Sequence, residues 1–360
     1  MCSQPCCRLC PTFIYCFDLT TLKDIKDNCI DAKSFSSRGR MLAADEENMD
    51  NCSTTLKEFV ILGFSGSEEL QSLLFVIFLA IYVVTFAGNF TIIYITTADA
   101  HLQSPMYFFI RNLSVLEIFY ITVTQPLILS TLLGRKHVLF PGCLIQLYIF
   151  VSLTSTECFL LALMAYDRYS AICRPLLYRM VMTSHSCTRL VLSVWLGGFL
   201  APTVQVILIS KLSFCGHNEI NYFVCDIAPL LKLACSDTSA NEIVAFSMGG
   251  FVTLGSLVCV SISYVCIVAQ IIRIPTTLGK RRAFSTCASH LIVAGVYFGT
   301  VVAMYVRPTS QYSLETDRIA ALLYMIVTPL FNPLIYSFRN KEVKDALSKT
   351  ILKISKYIKI

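Results

Sequence analysis

The sequence predicts an all-α membrane protein, a seven-transmembrane helix bundle, and three observations predict it. Of 360 residues, 55% are hydrophobic and only 14% charged, which is not the balance of a soluble domain. The apolar residues fall in blocks of about 20, the length that crosses roughly 30 Å of hydrocarbon as helix. Basic residues gather in alternate breaks between those blocks, as cytoplasmic loops require. Period-2 alternation bounded by turns every ten residues is absent, so strands are not expected.

The blocks run over about 72–97, 105–130, 143–168, 187–209, 243–272, 284–306 and 319–338, and the fourth holds the only tryptophan, Trp195. An odd number of crossings puts the termini on opposite sides. Arg174 and Arg179 follow the third block, and Arg273, Lys280, Arg281 and Arg282 separate the fifth and sixth. After the seventh come Arg339, Lys341, Lys344, Lys349, Lys353, Lys356 and Lys359. The opposite loops are mixed, with Glu219, Asp226, Asp237, Glu242, Glu315 and Asp317 beside Lys211, Lys232, Arg307 and Arg318. Arg135 and Lys136 run against the rule and are outnumbered. The expectation is a multi-pass plasma-membrane protein with its N-terminus outside and its basic tail in the cytoplasm. The net charge of +6 then reads as topology and attraction to acidic lipid headgroups, not as nucleic-acid binding.

Four regions follow. Residues 1–48 read as an N-terminal extension, disordered or preceding an alternative start at Met49. They hold Cys2, Cys6, Cys7, Cys10, Cys16 and Cys29 but no histidine, and Asp18 interrupts the stretch Phe13 to Leu22, so neither a zinc site nor a signal peptide is assigned. Residues 49–71 form an outer segment whose Asn51-Cys52-Ser53 is a glycosylation sequon. Residues 72–338 carry the spans, and 339–360 form the tail.

Several motifs stand in order along 49–349. They are Gly88-Asn89 in the first span; Pro105-Met106-Tyr107-Phe108-Phe109-Ile110-Arg111-Asn112-Leu113-Ser114 opening the second; and Met164-Ala165-Tyr166-Asp167-Arg168-Tyr169 closing the third. Ser263-Tyr264 lies late in the fifth, Ala283-Phe284-Ser285-Thr286-Cys287-Ala288-Ser289-His290-Leu291 opens the sixth, and Pro329-Leu330-Phe331-Asn332-Pro333-Leu334-Ile335-Tyr336-Ser337-Phe338-Arg339-Asn340 closes the seventh. Together these resemble the olfactory (odorant) receptors, rhodopsin-like G-protein-coupled receptors of the large tetrapod class. The resemblance implies a rhodopsin-like bundle with a short cytoplasmic amphipathic helix after the seventh span. It implies a receptor, not an enzyme, whose partners are a small volatile odorant and a stimulatory, cyclase-coupled heterotrimeric G protein. Three positions depart from the family pattern: Ser170 replaces the usual valine, Glu117 the commoner aspartate, and Tyr297-Phe298 reverses the usual aromatic order. The last moves a hydroxyl at a level of the sixth helix that resembles the pocket floor.

An Asp-Arg pair costs too much at mid-bilayer, roughly 2.5–3.5 kcal/mol per charge, so it belongs at a membrane face. Adjacent helical residues point about 100° apart, so Asp167 neutralises Arg168 only if the guanidinium folds back. The expected device is a two-state latch in which Arg168, flanked by Tyr169, leaves Asp167 for a G-protein helix. Asn332-Pro333-Leu334-Ile335-Tyr336 is the second moving part: Pro333 frees a carbonyl, Asn332 can satisfy exposed backbone, and Tyr336 can swing toward Tyr264 or Arg168.

Glu117 and Glu157 are the acids deepest in the spans. Two carboxylates in one dry site repel, so one is protonated or a cation lies between them. The resemblance implies a sodium ion or proton braking activation, and no other cofactor or metal. Among Cys143, Cys215, Cys225 and Cys235, three pairings are open to the sequence alone. The family pattern implies Cys143–Cys225 and Cys215–Cys235, pinning a lid. Cys158, Cys173, Cys259, Cys266 and Cys287 are expected as small apolar packers, and His290 as a hydrogen-bonded interface residue.

The family's ligand-facing positions carry over to Phe150, Val151, Thr154 and Ser155 on the third helix, Ile227 in the lid, and Ala245, Met248 and Gly249 on the fifth. Phe298, Val301, Val302 and Tyr305 on the sixth and Leu322 and Met325 on the seventh complete the wall. The lining is mostly apolar with a few hydroxyls, which suits a weakly polar molecule. Rival readings are weaker. An opsin needs a lysine between Ile319 and Phe338, where there is none; a transporter needs paired broken helices; and the adjacent Ser289 and His290 point different ways, which argues against a protease. A rhodopsin-like receptor for a non-odorant small molecule is the closest alternative.

Overall fold

The computed structural model describes residues 57–64, 66–215, 218–305, 314–339 and 341–358; the extension 1–48 and the sequon Asn51 lie outside them. In chain order the elements are β1 (Glu58–Ile61), α1 (Glu68–Ala98), α2 (Pro105–Leu132), β2 (His137–Leu139) and α3 (Phe140–Cys173). There follow α4 (Pro175–Val181), α5 (Ser184–Leu200), α6 (Thr203–Ser210), β3 (Glu219–Ile220) and α7 (Ile227–Leu233). The chain continues with α8 (Ser239–Arg273), α9 (Thr277–Tyr305), α10 (Leu314–Arg339) and α11 (Lys341–Ile358).

Local chemistry explains the boundaries. Ser67 accepts from Leu70 N at 3.4 Å, and Glu68 and Glu69 sit in the first turn, where the helix dipole favours acids. Pro105 opens α2 after Ser104, at the position where its missing N–H costs nothing. The fourth span, expected as one piece, is two helices: the chain turns at Ala201 and Pro202, because Pro202 cannot supply the next helical N–H. With that break bridged, Glu68–Ala98, Pro105–Leu132, Phe140–Cys173, Ser184–Ser210 and Ser239–Arg273 are each long and apolar enough to cross a membrane. α9 and α10 add the shorter apolar stretches Cys287–Val301 and Met325–Tyr336.

The other six spans close into a ring around α3, which packs against α2, α5, α8 and α9, while α10 closes back on α1 and α2. Burial agrees: 67% of the apolar window of α3 is buried, against 11% for α1. The outside is greasy, with Val76, Val83 and Phe90 on α1 and Phe246, Phe251 and Val265 on α8 exposed. The polar groups Asn89, Glu117, Thr124, Gln125, Ser152, Glu157 and Asn332 are buried. That inversion is what hydrocarbon solvent imposes, since an unpaired polar group cannot face lipid. Gly198 allows α5 to reach α3, since a Cβ there would lie 2.0 Å from Thr156 Oγ1 and 2.8 Å from Thr156 Cα. The thiols divide: Cys158 and Cys287 are packed inside, while Cys259 and Cys266 are exposed on the outer surface, contrary to expectation.

Strands were not expected, yet a small sheet of order β2-β1-β3 caps one end. β1 pairs antiparallel with β2, Phe59 facing Val138, and parallel with β3, Val60 beside Glu219. Strands of two to four residues carry too little alternation to be read in sequence. At the opposite end, α11 packs on α10 and α1 through buried Val343 and Ala346. Tyr107 O–H donates to Glu342 Oε2 at 2.6 Å, tying it to α2.

Candidate functional site

Three clusters lie along the axis set by α3. The first is at the end away from the sheet. Arg168 folds back as its helical position demands: Nε donates to Asp167 Oδ2 at 3.0 Å, and Nη2 donates to the same oxygen. Its third nitrogen, Nη1, meets the Met106 sulfur of α2 at 2.9 Å. Asp167 Oδ1 also accepts from Tyr178 O–H of α4 at 2.9 Å. Burial, reinforced by that carboxylate, pushes the Tyr178 phenol above its ordinary range. Both charged residues are buried, a state tolerable only while they stay paired. A carboxylate on one side and a soft thioether on the other hold Arg168 without exhausting its five donors.

Around Arg168 stand the residues expected to move. Tyr264 O–H lies 2.7 Å from His290 Nδ1, with the rings stacked at 5.7 Å, and donates to Cys287 O at 3.2 Å. His290 is therefore a hydrogen-bonded partner between α8 and α9. Tyr336 is buried with no partner for its hydroxyl among the described residues, and both it and Tyr264 lie in the field of Arg168. Tyr169 is half-buried beneath the Arg174 guanidinium, 5.8 Å from its ring centre.

The second cluster lies deeper. Asn332 Nδ2 donates to Glu117 Oε1, and the carboxyls of Glu117 and Glu157 meet across α2 and α3. Glu117 Oε2, Glu157 Oε1, Asn89 Oδ1 and Ser152 Oγ are buried without a hydrogen-bond partner among the described residues. The carbonyl that Pro333 leaves without a helical donor belongs to Pro329, and its donor is Asn89 Nδ2 of α1, 3.1 Å away. Asn332 does not fill that role, contrary to the sequence expectation. Gly88 permits the approach: a Cβ there would meet Pro333 Cγ at 3.2 Å. Sequence reading named Gly88-Asn89 as a motif and missed this function. Its signal was a polar amide in an otherwise apolar span.

The third cluster is the set expected to line a pocket. Phe150 and Ser155 are buried on α3, with Val151 and Thr154 half-buried beside them, and Phe150 rests 5.5 Å from the Tyr120 ring. Phe298 and Val301 on α9 and Met325 on α10 are buried, and Leu322 and Ile227 are half-buried. On α8 Ala245 is half-buried, while Met248 is exposed at the outer surface, contrary to its expected place in the pocket wall. Gly249 shares a helical face with buried Val252, Ser256 and Val260, yet is exposed, and a Cβ there would meet nothing within 4 Å. The side chains of Val302 and Tyr305 are outside the described residues.

Over this end lies the lid. A disulfide joins Cys143 to Cys225. Gln146 accepts from Cys225 N at 3.1 Å and donates to Val123 O at 2.9 Å, bridging lid and α2. Cys215 and Cys235 are side by side, with the Cys235 sulfur 2.9 Å from Cys215 N and 3.3 Å from Cys215 O, but the expected disulfide between them is not formed: Cys235 keeps its thiol. Arg318 of α10, which sequence reading counted only as a loop charge, donates to Gly63 O and covers the Phe223 ring at 4.9 Å. Gly63 turns the chain there at φ 57°, a left-handed conformation that suits glycine.

Comparison with known proteins agrees with this arrangement. A family model described as olfactory receptor matches residues 78–354. The chain is 46% identical over 304 residues to olfactory receptor-like protein COR5 of Gallus gallus, covering 84% of this chain and 97% of that one. It is 48% identical over 297 residues to human olfactory receptor 10C1, covering 82% and 95%, and 46% over 300 residues to human olfactory receptor 9G4, covering 83% and 91%. Squid rhodopsin shares the fold at TM-score 0.60 and 17% identity, over 80% of this chain and 82% of that one. With motifs, helical order and sequence aligned over most of its length, this chain belongs to the olfactory receptor family and is a multi-pass, rhodopsin-like signalling receptor, not an enzyme.

Proposed function

We propose that the protein binds small, volatile, mostly apolar odorants within its helix bundle and activates a stimulatory, cyclase-coupled heterotrimeric G protein. One observation carries the reading. The same helix, α3, bears Phe150, Val151, Thr154 and Ser155 near the lid and a buried Arg168, paired with Asp167, toward its other end. A ligand that prefers a contracted pocket shifts an existing equilibrium toward an opened α9, and Arg168 then leaves Asp167 for the G protein. The apolar lining supports a ligand held by burial, at roughly 25 cal/mol per Å² of apolar surface, with one or two hydrogen bonds. In this reading the sheet and lid face outward, and α4, α11 and the basic tail lie at the cytoplasmic face of the plasma membrane.

Glu117, Glu157 and Asn332, with the Asn89 and Ser152 oxygens that have no partner among the described residues, fit a sodium ion or a shared proton. They supply hard oxygen donors in a dry site where two bare carboxylates cannot coexist. Either occupant relieves that repulsion and holds α2, α3 and α10 together, which brakes activation.

The test is reporter cAMP in cells exposed to an odorant panel, comparing the parent with Arg168→Ala at matched surface expression. Parental responses that vanish in the variant are expected. Ligand-driven cAMP persisting in surface-expressed Arg168→Ala would overturn the role given to Arg168.

A further inference from the structure

The reversed pair Tyr297-Phe298 has an observable consequence. Tyr297 is fully buried, and its hydroxyl donates to the Thr154 carbonyl of α3 at 2.9 Å, with the Cys158 sulfur 3.2 Å away. Thr154 and Cys158 are four residues apart, so the phenol end rests on a single rung of α3. Thr154 turns its own hydroxyl to the Phe150 carbonyl at 3.0 Å. Phe298, about 100° further round α9, packs edge-on against Tyr297 at 5.2 Å. Tyr297 also stands seven residues from His290, on the same face of α9. That face is thus held at two heights: His290 to Tyr264 of α8, and Tyr297 to Thr154 of α3.

We propose that Tyr297 is a positioning residue that anchors α9 to α3 at the level of the pocket, coupling what happens at Thr154 to the motion of α9. This deepens the receptor reading and rests on it, since it takes Thr154 as a pocket position. The hydroxyl acts between helices, and the neighbouring Phe298 offers only an apolar ring. A ligand that displaces Thr154 strains the bond to Tyr297, and α9 is loosened above the His290 contact. A hydroxyl at position 298 would point elsewhere on the helix and could not replace it.

Hydrogen exchange measured by mass spectrometry over residues 287–301 reads the anchor without needing a ligand. Parent, Tyr297→Phe, Cys158→Ala and the exchanged pair Tyr297→Phe with Phe298→Tyr would be compared in phosphatidylcholine nanodiscs. Exchange about tenfold faster is expected in Tyr297→Phe and in the exchanged pair, the scale of one lost buried hydrogen bond. Cys158→Ala should match the parent. Parental exchange rates in Tyr297→Phe, or in the exchanged pair, would overturn the proposal. Basal reporter cAMP, run alongside, should rise several-fold in Tyr297→Phe. A parent silent toward every odorant speaks against the coupling reading, while the exchange data still decide the anchor.

Discussion

Asn89 donates its side-chain amide to the carbonyl of Pro329, 240 residues later in the chain and 3.1 Å away. The bond answers the deficit created by Pro333, whose ring has no N–H for that carbonyl. In lipid no water can stand in, so Pro333 within α10 and the amide on α1 form one unit.

Replacing Asn89 with Leu, similar in size but unable to donate, should therefore orphan the carbonyl at a cost of about 1–3 kcal/mol. The expected result is a lower Tm for the purified receptor in nanodiscs and reduced surface expression. An unchanged Tm would mean that something else satisfies Pro329.

Asp167→Asn keeps the shape beside Arg168 and removes the charge that holds it. Odorant-free cAMP should rise several-fold at matched surface density, since Met106 and a neutral amide bind a guanidinium more weakly than a carboxylate. Arg168→Lys should lower coupling rather than preserve it, because an ammonium lacks the planar fork that spans two partners. Basal activity equal to the parent in Asp167→Asn would sink the latch.

The Glu117–Glu157 pair makes a prediction about salt. If a sodium ion relieves the repulsion, exchanging sodium for N-methylglucamine should raise basal cAMP in the parent. The same exchange should leave Glu157→Gln unaffected, since the neutral amide removes the repulsion that recruits the ion. A parent indifferent to sodium would leave the shared proton as the occupant.

The lid should depend on its disulfide. Cys143 and Cys225 are 82 residues apart, and opening a native bond of this kind typically costs about 2–5 kcal/mol. Cys225→Ser is expected to abolish surface delivery or odorant response.

Membrane helices declare themselves in the chain because lipid demands a long apolar run, and a run is a local property. That demand made the seven spans legible, and the cost of intramembrane charge singled out Asp167, Arg168, Glu117 and Glu157. The geometry of neighbours on one helix likewise foretold that Arg168 must fold back onto Asp167. Partners on other helices left no such trace. Met106 under Arg168, Asn89 on Pro329, Tyr297 on Thr154 and Arg318 on Gly63 join residues far apart in sequence. Each is chosen by which faces the packed bundle brings together and by which polar groups hydrocarbon leaves unsatisfied. The short strands and the break at Pro202 belong with these: their lengths are too small for periodicity to register, and only the closed bundle gives them partners.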